Sequence, residues 1–181
     1  CFNAFVWGVS WWPFRLLQAE GLHPLWATAI IYGLCSLGVM ATHPAALREL
    51  VRHPALWVLV VASGITNAAF NWAVTIGDVV RVVLLFYLMP VWSVLLARWL
   101  LQEPITGAAL LRVAMAMAGA MIVLGAGQSG LPVPTSLVDA LALLGGSSFA
   151  LNNVMLRQQA KRSAPSRTLA MFVGGAVLAS G

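Results

Sequence analysis

Two amides, Asn67 and Asn71, stand four residues apart in an otherwise apolar run, and Gly64 precedes the first by three. On a helix that spacing gathers all three on one face, a polar stripe where backbones can approach closely. Ser148 and Asn152 repeat the four-residue spacing in a later run, and Trp7, Ser10 and Trp11, with Asn3, lie along one side of the first. Polar groups of this kind do one of two things in an apolar setting. They bridge helices, at ~0.6–2 kcal/mol per hydrogen bond, or they line a cavity that receives a polar solute. Their recurrence in three runs favours a shared cavity as the expectation.

Charge is the second chemical resource. Asp78 and Arg81 are three apart at the head of another run, the spacing of a helical ion pair or of charges placed at the mouth of a pathway. Tyr87, Pro90 and Val94 follow on one helical face. Pro90 has no backbone N–H and frees a carbonyl four residues upstream, so this run is expected to kink near its middle, either as a packing feature or to bend around a ligand. The deeper aromatics Trp7, Trp72 and Tyr87 can stack on a planar or apolar solute or serve as core.

What positions these residues follows from composition. The 181 residues are 61% apolar and 8% charged, with mean hydropathy +0.90, which indicates an all-α integral membrane protein. Runs long enough to span fall at 24–42, 54–77, 79–101, 107–127 and 136–156, with partial spans at 1–17 and 168–181. Helix-length runs whose backbone groups must be satisfied internally favour a helical bundle over a barrel. The first and last spans read as clipped, as in a fragment.

The net charge of +5 and pI near 10.3 would suggest nucleic acid in a soluble chain, but here the basic residues sit between the apolar runs. With the loops assigned alternately to two sides, one side takes Arg48, Arg52, Arg98, Arg112, Arg157, Lys161, Arg162 and Arg167, and the other only Arg15 and Arg81. The basic side is expected to be cytoplasmic, with the N-terminus on that side too. Nucleic acid is set aside; the bilayer and a small-molecule substrate remain as partners.

The five acids, Glu20, Glu49, Asp78, Glu103 and Asp139, all fall at or near span ends, which disfavours proton shuttling through a mid-membrane carboxylate. The sequence has no HExxH, no phosphate-binding glycine loop and no cysteine–histidine ligand cluster, so no cofactor, catalytic residue or metal site is expected.

The stretch "NWAVTIGDVVRVVLLFYLMPVWSVLLARWLLQEPIT" resembles the EamA-type repeat of the drug/metabolite transporter superfamily. The resemblance rests on Ala73 and Thr75 in a turn, the mid-span Pro90, Glu103 thirteen residues later, Thr106, and Gly119 in a glycine-bearing fifth span. "WGVSWW" at 7–12 is similar to the family's first span. Pro104 and Arg112 stand where the family often has a basic residue and a glycine. The resemblance implies inverted five-span repeats, the first at 1–127 and the start of a second at 128–181, about seven of ten spans in all. It implies a secondary transporter in the bacterial inner membrane that exports a small metabolite such as an amino acid. A membrane enzyme acting on a lipid-linked substrate and a non-transporting scaffold are the rival readings. Glu103 is expected to mark the water-level edge of its span, paired with Arg98 or Arg112.

Overall fold

The computed structural model describes residues 24–125 and 136–180. Among them are eight helices and no strands: α1 (Pro24–Thr42), α2 (Pro44–Arg52), α3 (Pro54–Ile76), α4 (Val79–Phe86), α5 (Met89–Leu100), α6 (Gly107–Gly125), α7 (Leu137–Gln158) and α8 (Ala164–Ala179). Four stretches are long and apolar enough to cross a bilayer: Leu25–Thr42, Pro54–Ile76, Val79–Leu100 and Leu137–Gln158. The chain is a multi-pass membrane protein.

Helices α3, α7 and α8 form the centre, with α1 against α8 on one flank and α4 and α5 against α7 on the other. Small residues set how closely these helices pack. A Cβ on Gly174 of α8 would strike the backbone of Val60 on α3, and one on Gly64 of α3 would meet the Gly174 carbonyl at 2.5 Å. The cores on either side are aliphatic: Leu56, Leu59 and Leu169 are fully buried in one, Val82 and Ala142 in the other. Helix α6 is different. Leu110, Leu111, Met115 and Ile122 on it are exposed, as expected for a helix whose solvent is lipid.

Contacts between loops sort the helix ends into two groups. At the basic end, the Ser163 hydroxyl donates to Glu49 at 2.7 Å, the Arg162 guanidinium donates to His53 Nε2 at 3.0 Å, and Arg157 meets Glu103. At the opposite end, Gly77 packs against Val138 and Arg81 meets Asp139. Among the described residues, Glu49, His53, Glu103, Arg157, Arg162 and Ser163 therefore gather at one end, and Gly77, Arg81, Val138 and Asp139 at the other.

The connection between the apolar runs 24–42 and 54–77 is itself helical, as α2. His-Pro occurs at both its borders, so Pro44 opens α2 and Pro54 opens α3, each at a first-turn position that needs no backbone donor. Ala46 and Leu50, four apart, turn inward, while Arg48 and Arg52 stay exposed. Glu49 accepts from the hydroxyls of Ser163 and of the fully buried Ser166, at 2.7 and 2.6 Å, and these bonds hold its carboxyl below its ordinary value.

Candidate functional site

The expected kink is a complete interruption. The fourth span runs as α4 to Phe86, turns at Tyr87 and Leu88, and resumes as α5 with Pro90 in its first turn. The chain bridges the gap with short-range bonds: Leu88 N–H to the Leu85 carbonyl at 3.2 Å, then Val91 N–H to the Leu88 carbonyl at 3.0 Å. Pro90 has no N–H for the Phe86 carbonyl four residues before it. That carbonyl turns toward α7 at Gly146, where a Cβ would lie 2.8 Å from its oxygen. The Phe86 ring packs edge-on against Phe70 of α3 at 4.8 Å and tilted against Phe149 of α7 at 5.6 Å, and Gly145 leaves room beside it. The interruption is thus seated on α7 and clasped by aromatic rings.

The same two spans are joined at both ends. At the opposite end from the basic loops, the Arg81 guanidinium forks onto Asp139, Nε to Oδ1 at 2.7 Å and Nη2 to Oδ2 at 2.8 Å. Asp139 is fully buried and Arg81 is 24% exposed. This corrects the expected Asp78–Arg81 ion pair. Asp78 is the N-cap of α4 and accepts the Arg81 backbone N–H at 2.8 Å, so its carboxylate serves the helix terminus while the Arg81 side chain reaches across to α7. Asp139 holds its place in the first turn of α7, its N–H donating to the Ser136 hydroxyl at 3.1 Å. At the basic end, Glu103 pairs with Arg157 of α7 at 2.5 Å, with side chains 44% and 61% exposed, and not with Arg98 or Arg112.

Between α5, the α5–α6 connection and the start of α6 lies an open cavity of about 490 Å³. It runs from Arg98, Arg112 and Arg157 at the basic end to Met89 and Pro90 at the interruption. Gln102 immediately precedes Glu103, which lines the cavity. Gln102 takes φ +55° and turns the chain so that the Glu103 N–H returns toward the Ala97 carbonyl at 3.4 Å.

The residues singled out from sequence fall into separate places. Pro90 and Glu103 line this cavity. Asn67 and Asn71 lie on the seam between α1 and α3: Tyr32 donates to Asn67 Oδ1 at 3.1 Å, Asn67 donates to the Ser63 carbonyl, and Asn71 donates to the Thr28 hydroxyl at 3.3 Å. Ser148 borders a second hollow, about 320 Å³ and almost wholly apolar, beside Trp57 and Val61 of α3. Asn152 is buried and its Oδ1 has no hydrogen-bond partner among the described residues. Tyr87 and Trp72 are exposed, as is Gly119, where a Cβ would meet nothing. Trp7, Ser10 and Trp11 lie outside the described residues. Of the nominated residues, Pro90 and Glu103 thus border one described cavity and Ser148 another. Sequence reasoning missed Gly146, Arg157 and the role of Asp139. The adjacent glycines at 145–146 and the cap spacing of Ser136 and Asp139 were the available signals.

A model of the EamA-like transporter family matches residues 1–125. No curated protein and no solved structure gave a match.

Proposed function

Because the chain belongs to the EamA-like transporter family, we propose that it is a secondary transporter that carries a small metabolite, such as an amino acid or similar amphipathic solute, outward across the bacterial inner membrane. The reading places the N-terminus and the basic end on the cytoplasmic side, in keeping with the excess of arginine there. It takes residues 1–127 and 128–181 as one five-span repeat and the beginning of an inverted second.

The observation that carries this proposal is the interrupted fourth span seated on α7, with its Phe86 carbonyl against Gly146. Broken membrane helices are tolerated where the freed backbone is buried in protein or faces a cavity, and transporters place such breaks near their substrate sites. Here the cavity at the basic end reaches the break at Pro90, while the Arg81–Asp139 fork closes the other end of the same two helices. A solute entering from the basic end would reach the interruption and stop there. Release on the far side requires the fork to part, with α4 and α5 rocking on α7 about the Phe86–Gly146 contact.

A paired cysteine variant, Arg81→Cys with Asp139→Cys, tests the fork as a closure. With the full chain in proteoliposomes and radiolabelled amino acids as cargo, oxidation should stop flux and reduction should restore it. Equal flux from the oxidised and reduced forms would reject the fork as a closure, and no flux of any amino acid in the unmodified protein would reject that class of substrate.

A further inference from the structure

The cavity at the basic end carries a charge imbalance that its fold role does not consume. Arg98, Arg112 and Arg157 reach it, against one carboxylate, Glu103. Glu103 is engaged by Arg157. Neither Arg98 nor Arg112 meets an acidic side chain among the described residues, so two exposed guanidinium groups, each with five N–H donors in a planar fork, border the open space.

A second source of positive potential points the same way. The cavity is lined by Thr106 and Ala109, the cap and first turn of the 19-residue α6. The Thr106 hydroxyl accepts the Ala109 N–H at 3.2 Å, which leaves other first-turn donors of α6 without intrahelical partners. The positive end of the α6 dipole therefore opens on the same space as the two arginines.

The inner wall has the opposite character. Toward the interruption the lining becomes Met89, Pro90, Val94 and Val113, with the Ser93 hydroxyl as the polar group among them. The volume, about 490 Å³, is that of a small-molecule site and far exceeds what a bare ion fills. An arginine rim, a helix N-terminus and an apolar floor together fit a molecule with an oxyanion at one end and an apolar body at the other.

We propose that this cavity binds an amphiphile through a phosphate or carboxylate group, held by Arg98 and Arg112, with its apolar body directed toward Pro90. Two sources present that chemistry: a soluble metabolite and the headgroup of an anionic phospholipid, for which basic pockets between helices on the cytoplasmic side are suited. The binding site stands whether or not its ligand crosses the membrane; that the ligand is also the cargo rests on the transport reading above.

The test uses the full chain in neutral detergent with hexyl phosphate as the soluble probe and hexanol as its uncharged counterpart. Dioleoyl phosphatidylglycerol and dioleoyl phosphatidylcholine in mixed micelles serve as the lipid pair. A ligand that binds only the folded state raises the melting temperature saturably. The protein should respond to hexyl phosphate and not to hexanol, with at least tenfold weaker binding in R98Q/R112Q. The variant R48Q/R52Q removes the same charge from the same end, on the exposed face of α2 outside the cavity, and should bind as the unmodified protein does. R98K/R112K keeps the charge but loses the fork, and should fall between, which also covers a glutamine variant that does not fold.

An arginine-dependent response to hexyl phosphate assigns the site to a soluble ligand. The same dependence seen only with phosphatidylglycerol assigns it to a lipid headgroup. No response to either probe, or an equal loss in R98Q/R112Q and R48Q/R52Q, overturns the proposal.

Discussion

Replacing Gly146 with alanine asks whether the fourth span is seated on α7 as closely as the structure has it. The new Cβ would lie 2.8 Å from the Phe86 carbonyl oxygen, 3.3 Å from its Cα and 3.4 Å from its carbonyl carbon. All three are backbone atoms, so no flexible side chain can swing aside. To reach ordinary contact at 3.4 Å, the oxygen must retreat by about 0.6 Å, and overpacking of this kind costs ~1–3 kcal/mol. Against it stands the gain of about 1 kcal/mol from replacing glycine by alanine within a helix. The clash outweighs the gain, and a net loss of about 1 kcal/mol is expected.

Gly119→Ala supplies the reference. It lies within α6, where a Cβ meets nothing within 4 Å, so it takes the helix gain without the clash. Gly146→Ala should melt below Gly119→Ala in detergent by the full overpacking cost, at about 2–4 °C per kcal/mol. The proline makes the argument sharper. In Pro90→Ala the restored N–H can bond the Phe86 carbonyl and draw it back into its own helix, away from Gly146. Gly146→Ala should therefore cost less in the Pro90→Ala background, by at least ~0.5 kcal/mol of coupling. Equal melting of the two glycine variants would refute the close seating. Strict additivity with Pro90→Ala would refute the link between the freed carbonyl and the glycine.

Three further outcomes are expected. Asn71→Leu removes the 3.3 Å bond to Thr28 and should lower stability by roughly 0.6 kcal/mol, the average for a hydrogen bond between membrane helices, without altering which solutes are carried; a changed solute preference at unchanged stability would place Asn71 in the pathway instead. Gln102→Gly relieves a left-handed residue at φ +55° and should stabilise by about 1 kcal/mol, read as a higher melting temperature. Glu49 has its folded pKa held below its ordinary 4.5 by the hydroxyls of Ser166 and Ser163, so its contribution is complete above that value and drains away as pH falls below it; Ser166→Ala should flatten the acid side of a stability–pH curve, and an unchanged curve would show that the bond carries no linkage.

How much of this was legible in the sequence depended on how local the cause was. The apolar runs and their ends could be read because span length and turn residues are local, and Pro90 announced the break because a missing N–H acts within four residues. The helix α2 had an equally local signal, Ala46 and Leu50 four apart between two His-Pro borders, but it lies outside the apolar runs that marked the spans. Partner choice was not legible. Asp78 is the near neighbour of Arg81, yet a carboxylate at an N-cap position is claimed by backbone N–H groups, and that leaves the guanidinium to find Asp139, 58 residues away. Glu103 likewise passes over Arg98 and Arg112 for Arg157, 54 residues away. The amides at 67 and 71 were correctly placed on one face, but the sequence could not say that the facing helix would bring Tyr32 and Thr28 to them.

The two ion pairs that join the fourth span to α7 differ in the one respect that matters for movement. The Arg81–Asp139 fork has both oxygens of a fully buried carboxylate engaged, and removing one partner of a buried pair costs ~3–5 kcal/mol. The Glu103–Arg157 pair is single and solvent-exposed on both sides, and such pairs contribute ~0–1 kcal/mol. The clasp at the basic end is therefore the easier to open, and that is the end where the cavity lies. On the proposed route, a solute entering there meets its larger barrier at Arg81 and Asp139, so binding at the interruption must favour the parted fork by a comparable amount for the solute to leave on the far side.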